Sequence, residues 1–245
     1  MLICAGFAAT LHSCRNDEYL ATPPAVTDQS FTEEFDTVSA AFNRGWVVSN
    51  VSDPKGSNIW QQGGDVTPWF SPFSSSGTYA GFIGADYTST SADAGIISNW
   101  LISPVVTMQN GDKIVFYTRS LTYPDFDPVT GAPTGDTTDY ANRLQVWLNT
   151  DNTSTNAGSG SETGNFQTIL LDINPSYIPS SVVPATFSPY AYPTQWTRFE
   201  ATVFGLNKPV KGRFAFRYFV EDGGSNGLGS GVGIDKVSYI SVNHK

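Results

Sequence analysis

Cysteine and histidine are almost missing from this chain, and the few present sit at its ends. Both cysteines, Cys4 and Cys14, lie in the first stretch, and the two histidines are His12 and His244. The body of the chain therefore has no disulfide framework and no thiolate metal site. Nor can residues 20 to 240 supply a Ser-His-Asp triad, a Cys-His dyad or a His-ligated zinc site. Basic residues are scarce as well: 13 Lys and Arg against 22 Asp and Glu give a formal charge of -9. Nucleic-acid binding needs a basic face, so no nucleic-acid partner is expected. Charged residues total 14%, below the usual quarter, so polarity must come from Ser, Thr, Asn, Gly and Pro. That mixture suits strands and turns.

Apolar material, by contrast, is plentiful. Hydrophobic residues make up 40% and aromatics 13%, enough to bury a sizeable core and to argue against disorder. From Phe31 onward the apolar pattern has period two. Arg143–Asn149 puts Leu144, Val146 and Leu148 on one face. Arg213–Phe219 puts Phe214, Phe216 and Tyr218 on one face, with Arg213 and Arg217 on the other, the alternation of a half-buried strand. Lys113–Arg119 is short and strand-like, and Phe31–Phe35, Gly45–Val48, Ile96–Ile102, Phe166–Leu171, Trp196–Val203 and Gly233–Val242 are further strand candidates. No segment keeps a 3.6 period over 11 residues. Short strands separated by Gly, Pro, Asn and Asp clusters predict an all-β fold, an antiparallel β-sandwich with jelly-roll topology. Neither a repeat nor a break in composition divides residues 31–245, which read as one domain. Three long loops, Gln61–Thr78, Thr122–Ala141 and Asn174–Thr194, are of the length that is usually functional or mobile.

The first thirty residues read differently. Met1–Ala9 is a short apolar run, below the roughly 20 residues that span a bilayer. It fits the apolar region of a signal peptide that lacks its basic start. Leu11-His12-Ser13-Cys14 resembles the lipobox of bacterial lipoproteins, with a small residue before the cleaved bond and a thiol to carry the lipid. Residues 1–13 are thus expected to be a lipoprotein signal peptide. Residues 14–30 would be the lipid anchor, on Cys14, and a tether extended by prolines. The acidic pair Asp17-Glu18 resembles the export signal of surface lipoproteins, so the expected location is the outer membrane, facing outward.

Several blocks in order carry a family resemblance: Phe31–Phe35, Gly45-Trp46, Asn99–Pro104, Lys113–Tyr117, Arg143–Leu148, Trp196–Phe199, Arg213–Phe219 and Gly233–Val237. Residues 31 to 242 resemble a cleaved-adhesin or choice-of-anchor J domain, of the type found in the adhesin regions of gingipain proteases. The resemblance implies a jelly roll related to MAM-type and carbohydrate-binding modules, structural calcium, and a non-catalytic binding role. It matches Glu33 to the family's acidic residue on the first strand. It also matches Asp235 to the first Asp of the last strand, with Lys236 in place of the second. Calcium takes several oxygens at about 2.3–2.6 Å, and two carboxylates with backbone carbonyls could supply them. The alternative is that Glu33 and Asp235 are ordinary solvated strand residues.

Trp60, Trp69, Phe70, Phe73 and Tyr79 lie among Gly, Ser and Pro. Aromatic faces on loops stack sugar rings in binding modules, so these five are candidate ligand-binding residues. The alternative is that they fold inward as a satellite core. Tyr190, Tyr192 and Trp196 form a second set open to the same two readings. Asp125, Asp127, Asp136 and Asp139 either wrap a cation or line a solvated loop. The run Gly223–Gly233 has no Lys-Ser/Thr after it and reads as a connection, not a phosphate loop.

The chain is therefore expected to be a non-catalytic surface lipoprotein. Its macromolecular ligand would be a glycan or a protein of a host or cell surface. Three rivals stand beside this: a carbohydrate-binding component of a glycan-uptake system, a glycoside hydrolase using two of Glu33, Glu34, Asp172, Glu200, Glu221 and Asp235, and a structural subunit of a surface assembly with no soluble ligand.

Overall fold

The structure is a computed structural model, and it describes residues 26–74, 79–138, 140–180 and 189–242. Cys14 and Asp139 lie outside the described residues. Two six-stranded antiparallel sheets face each other. The first runs β12 (Thr197–Thr202), β7 (Lys113–Ser120), β14 (Gly231–Ile240), β4 (Ile83–Asp86) and β3 (Gln61–Gln62), with β1 (Phe31–Glu33) also paired to β14. The second runs β11 (Thr168–Ile173), β10 (Leu144–Asn149), β13 (Val210–Gly223), β5 (Gly95–Ile102) and β2 (Val47–Asn50), with β6 (Val106–Met108) also paired to β13. A hairpin, β8 (Tyr123–Phe126) and β9 (Pro133–Thr138), and a short helix α1 (Val38–Asn43) complete the elements. The chain repeatedly crosses between the sheets, which is the expected jelly-roll sandwich.

The period-two pattern sets the inner faces. Leu144, Val146 and Leu148 of β10 and Phe214, Phe216 and Tyr218 of β13 are fully buried. They meet Ile114 and Phe116 of β7 and Val232, Ile234 and Tyr239 of β14 in one core. Rings lock the two layers together. Phe116 sits edge-on to Phe216 at 4.8 Å, and Phe214 stacks on Tyr239 at 5.8 Å. Such pairs add about 0.5–1.5 kcal/mol each beyond burial.

The outer face of β13 departs from the expected alternation. Arg217 does not face water; it is 2% exposed. Segment 150–167 folds over it, and Trp100, Ile102, Ala157, Phe166 and Ala215 form a second small core there. Arg217 donates Nε to Ser98 Oγ at 3.0 Å and Nη2 to the Gly160 carbonyl at 2.8 Å. Its guanidinium lies 3.8 Å from the Phe219 ring centre and 5.0 Å from that of Trp100. Burial pushes its pKa down to about 9, so it remains charged at neutral pH. Hydrogen bonds and ring faces compensate the charge, in place of a paired carboxylate.

This makes a stability difference measurable by urea denaturation. Arg217→Ala is expected to cost about 2–4 kcal/mol, because buried acceptors lose a charged donor. Arg198→Ala breaks only the exposed pair with Glu200 and is expected to cost under about 0.5 kcal/mol.

Candidate functional site

Three of the predicted site residues have structural work that accounts for them. Trp60 is fully buried, and its Nε1 donates to the Asn99 carbonyl at 3.1 Å. It belongs to the core and cannot face a ligand. Glu33 is 4% exposed and takes two hydrogen bonds from Arg44, Nη2 to Oε1 at 2.6 Å and Nε to Oε2 at 2.8 Å. This pair clamps the end of α1 to β1. Asp235 is fully buried at a bulge in β14, where Lys236 adopts φ 49°. Its Oδ2 accepts from Phe73 N at 2.8 Å and Ser74 N at 3.1 Å, and its Oδ1 accepts from Lys236 N at 2.7 Å.

The calcium expectation on these two residues does not fit this geometry. An oxygen facing a guanidinium or an N–H is not presented to a cation. Among the described residues, no group of three or more His, Cys, Asp or Glu is brought together to hold a metal.

What Asp235 does hold is the aromatic loop. Its tie to Phe73 and Ser74 is joined by Ser74 Oγ on Glu34 and by Trp196 Nε1 on the Ser71 carbonyl at 2.9 Å. The loop then lies against a floor of glycines on the outer face of the first sheet. A Cβ on Gly64 would sit 2.4–2.5 Å from three adjacent atoms of the Trp69 ring, so Gly64 covers one ring face. Cβ atoms on Gly84 and Gly231 would lie 2.8 and 3.2 Å from the same indole, and one on Gly233 would lie 2.9 Å from Phe70. Phe70 stacks on Phe82 at 4.7 Å, with Trp196 edge-on at 5.3 Å and the Arg119 guanidinium 4.1 Å from its ring centre. Phe70 is thus packed on several sides. Phe73 is 40% exposed but stacks on Tyr117 at 3.6 Å, and Tyr79 is 69% exposed. Of the five predicted aromatics, Trp69 alone lines a cavity described below.

Two cavities meet at one end of the sandwich. The larger, about 550 Å3, is lined by Asn58, Gln61, Asp65, Trp69, Asp86, Tyr87, Thr88 and Tyr123, among others. The smaller, about 210 Å3, is lined by Tyr87, Tyr123, Tyr140 and the turn Gly224–Gly229. Tyr87 and Tyr123 belong to both, so the two adjoin at these rings and together make up the groove. Trp69 is at one end and Tyr140 at the other, and Tyr140 meets Tyr123 edge-on at 6.0 Å. Several walls come from strand ends: β4 leads into Asp86 and Tyr87, β7 into Tyr123, and β13 into the glycine turn, while Asn58, Asp65 and Trp69 come from loops.

The polar groups of the groove are specific. Asp86 Oδ1 accepts from Thr88 N at 2.9 Å and Thr88 Oγ1 at 2.6 Å, capping the 3-10 turn Tyr87–Ser89. Burial raises its pKa despite these bonds, and the nearby Asp65 raises it further. Burial and the neighbours Tyr87 and Asp86 push Tyr123 up to about 12, which keeps it a neutral phenol. Asn58 is 7% exposed. Its Oδ1 accepts from Asp86 N at 3.2 Å, while its Nδ2 has no partner among the described residues. The groove thus offers ring faces, hydroxyls, an amide donor and two carboxylate acceptors.

The remaining sequence candidates lie elsewhere. Tyr192 is buried, its hydroxyl 2.5 Å from Thr118 Oγ1, while Tyr190 is 75% exposed beside a separate apolar hollow. Asp127 turns the β8–β9 hairpin by accepting from Val129 N and Thr130 N, and Asp125 takes Thr138 Oγ1. Asp172 and Glu221 both pair with Arg143, and Glu200 pairs with Lys113 and Arg198. The sequence reading missed Tyr87, Tyr123, Tyr140 and Asp86 as site residues. Their only signal was position, at the edges of strands and of a long loop.

Two outcomes follow from the anchoring of the aromatic loop. Gly64→Ala is expected to displace Trp69 and to strain a backbone at φ 81°, seen as a changed near-ultraviolet dichroism and a loss of about 1–3 kcal/mol. Asp235 supplies a pH dependence. Burial pushes its pKa up to about 7 from an ordinary 3.8, so the folded state binds its proton more tightly than the unfolded state. Its contribution to stability is complete below about 4 and is lost as pH rises through about 7. The melting temperature should therefore fall by several degrees between pH 6 and pH 8, and Asp235→Asn should lack this fall.

No protein-family model matches the chain, and no curated protein matches it. Among solved structures it is similar to the K1 cleaved adhesin domain of Lys-gingipain from Porphyromonas gingivalis W83. The identity is 16%, covering 87% of this chain and 99% of that one, with a TM-score of 0.51. It is similar to the K2 cleaved adhesin domain of Lys-gingipain to the same degree, 16% identity over 87% and 99% of the two chains, with a TM-score of 0.50. At this identity the likeness is one of fold: the described residues form a cleaved-adhesin-like jelly roll.

Proposed function

We propose that the chain is a non-catalytic binding module whose groove holds a glycan. One observation carries this reading. Trp69, Tyr87, Tyr123 and Tyr140 line two adjoining cavities, with Asn58, Asp65 and Asp86 in the larger one. Pyranose rings present apolar faces that stack on aromatic rings, and hydroxyls that bond to amides and carboxylates. Two joined cavities suit an oligosaccharide better than a single sugar. The solved domains that share the fold are named adhesin domains, which agrees with binding as the role.

The groove reading also organises the expected location. Outer-membrane anchoring through Cys14 would carry the module outside the cell, where glycans of hosts, neighbours and diet are met. It rests on the lipobox-like Leu11–Cys14 and the extended tether that follows. Labelling with a radioactive fatty acid should mark the wild-type protein in its source cells and leave Cys14→Ala unmarked. An unlabelled wild type would sink the anchor.

The binding role is tested by calorimetry against a panel of soluble oligosaccharides. Trp69→Ala and Tyr123→Ala should each weaken the best ligand at least tenfold, since ring stacking contributes about 0.5–1.5 kcal/mol and the ring buries further area. Phe73→Ala, outside the groove, should change affinity less than twofold. Unaltered affinity in both groove variants would overturn the placement. Reducing sugar released by the wild type but not by Asp86→Asn would overturn the non-catalytic role.

A further inference from the structure

The charge of the groove limits which glycans it can hold, and this step rests on the glycan reading above. The larger cavity is lined by two carboxylates, Asp65 and Asp86, and by no Lys, Arg or His; the smaller has no charged lining residue. The nearest lysine in sequence to the Ser57–Gln61 wall, Lys55, is exposed and does not line either cavity. We propose that the groove selects glycans by charge, ranking amine-bearing above neutral and neutral above anionic, with Asp65 and Asp86 as the selecting groups.

Three observations support the ranking. First, Asp86 spends one oxygen on Thr88 and has no protein partner for Oδ2 among the described residues. A carboxylate oxygen accepts hydrogen bonds only, so its complement is a hydroxyl or an ammonium, never another anion. Second, burial and the neighbouring Asp65 both disfavour the charge on Asp86, so a ligand cation there relieves two costs at once. Third, Asn58 is more than nine-tenths buried in the same wall with its Nδ2 unpartnered, a donor for a neutral ring oxygen or hydroxyl. One neutral amide cannot offset two carboxylates, so a uronate, sulfate or sialate would meet net repulsion. The chain as a whole carries -9, and its long-range field has the same sign.

The test is an array of neutral, N-deacetylated and uronate- or sulfate-bearing oligosaccharides, followed by calorimetry on β-1,4-linked glucosamine, glucose and glucuronate hexamers. On the array, neutral and amine-bearing glycans should be retained and anionic ones should not. Among the hexamers, glucosamine should bind about tenfold tighter than glucose in 50 mM salt, and that gap should shrink in 500 mM salt. Asp65→Asn and Asp86→Asn should each narrow the gap. Asn is itself a good cap for the turn after position 86, and Asp65 is exposed, so both variants should keep the wild-type melting temperature. Tightest binding by a uronate or sulfated glycan would overturn the ranking while leaving the glycan reading intact. A gap between glucosamine and glucose that neither variant narrows would also overturn it. Retention of no glycan at all would overturn the glycan reading itself.

Discussion

The absence of side chains at Gly84, Gly231 and Gly233 decides where the rest of the site can go. These residues lie on the adjacent strands β4 and β14 and leave part of the outer sheet face flat. Trp69 and Phe70 approach so closely that any Cβ there would collide or force them to shift. Glycine in a strand weakens it, and here that weakness is the condition for aromatic rings to lie on the backbone. The loop that brings them is fixed at its far end by the buried carboxylate of Asp235. Flat floor and carboxylate peg together turn a Gly-, Ser- and Pro-rich stretch into a fixed wall.

The same economy explains a chain rich in rings and poor in charge. One set of aromatics joins the sheets, as Phe116 with Phe216 and Phe214 with Tyr239. A second covers outer faces that a sandwich usually leaves to water: Trp100 and Phe166 over β13, and Phe70, Phe82 and Trp196 over β14. Arg217 belongs to this second layer. Its stem and guanidinium fill a ring-lined space while tying segment 150–167 to the sheet. Tyr87, Tyr123 and Tyr140 make a third set, placed where strands end and no second layer covers them.

The strands were legible because one physical signal specifies them. Alternation placed β5, β7, β10, β11, β12 and β14 within about two residues of their observed ends, and found the middle of the longer β13. It failed where that signal is absent. Gln61–Gln62 is too short to alternate, and β9 reads Pro-Thr-Gly-Asp-Thr-Thr, a composition of turns. It also failed on the face of β13 where Arg217 looked solvated, since covering by a distant loop leaves no trace in local periodicity. The site was legible in part: two of the three long loops do line the groove. Trp60 and Trp69 could not be told apart, because only the eight residues 61–68, of one composition, separate a core indole from a groove indole. Glu33 and Asp235 were marked as important, but their partners Arg44, Phe73 and Ser74 are set by tertiary packing alone.

The far wall of the groove shows why it can act as a preformed site. Tyr140 and Ala141 both adopt left-handed backbone, φ 56° and 57°, a conformation that non-glycine residues rarely hold without support. The support is Asn142. Its buried Oδ1 accepts from Tyr218 Oη at 2.9 Å, Ser230 N at 3.1 Å and Gly231 N at 3.0 Å, and its Nδ2 donates to Ser230 Oγ at 2.7 Å. Asn174 Nδ2 holds its carbonyl at 2.9 Å, and Gly229 N bonds the Tyr140 carbonyl at 2.5 Å. One amide thus joins the hairpin that ends at Tyr140 to the core of β13, to the start of β14 and to the glycine turn. A wall so tied has lost its conformational freedom at folding and not at binding. Association of a flexible oligosaccharide then carries the ordering cost of the ligand alone, which lets modest stacking and hydrogen-bond terms yield useful affinity.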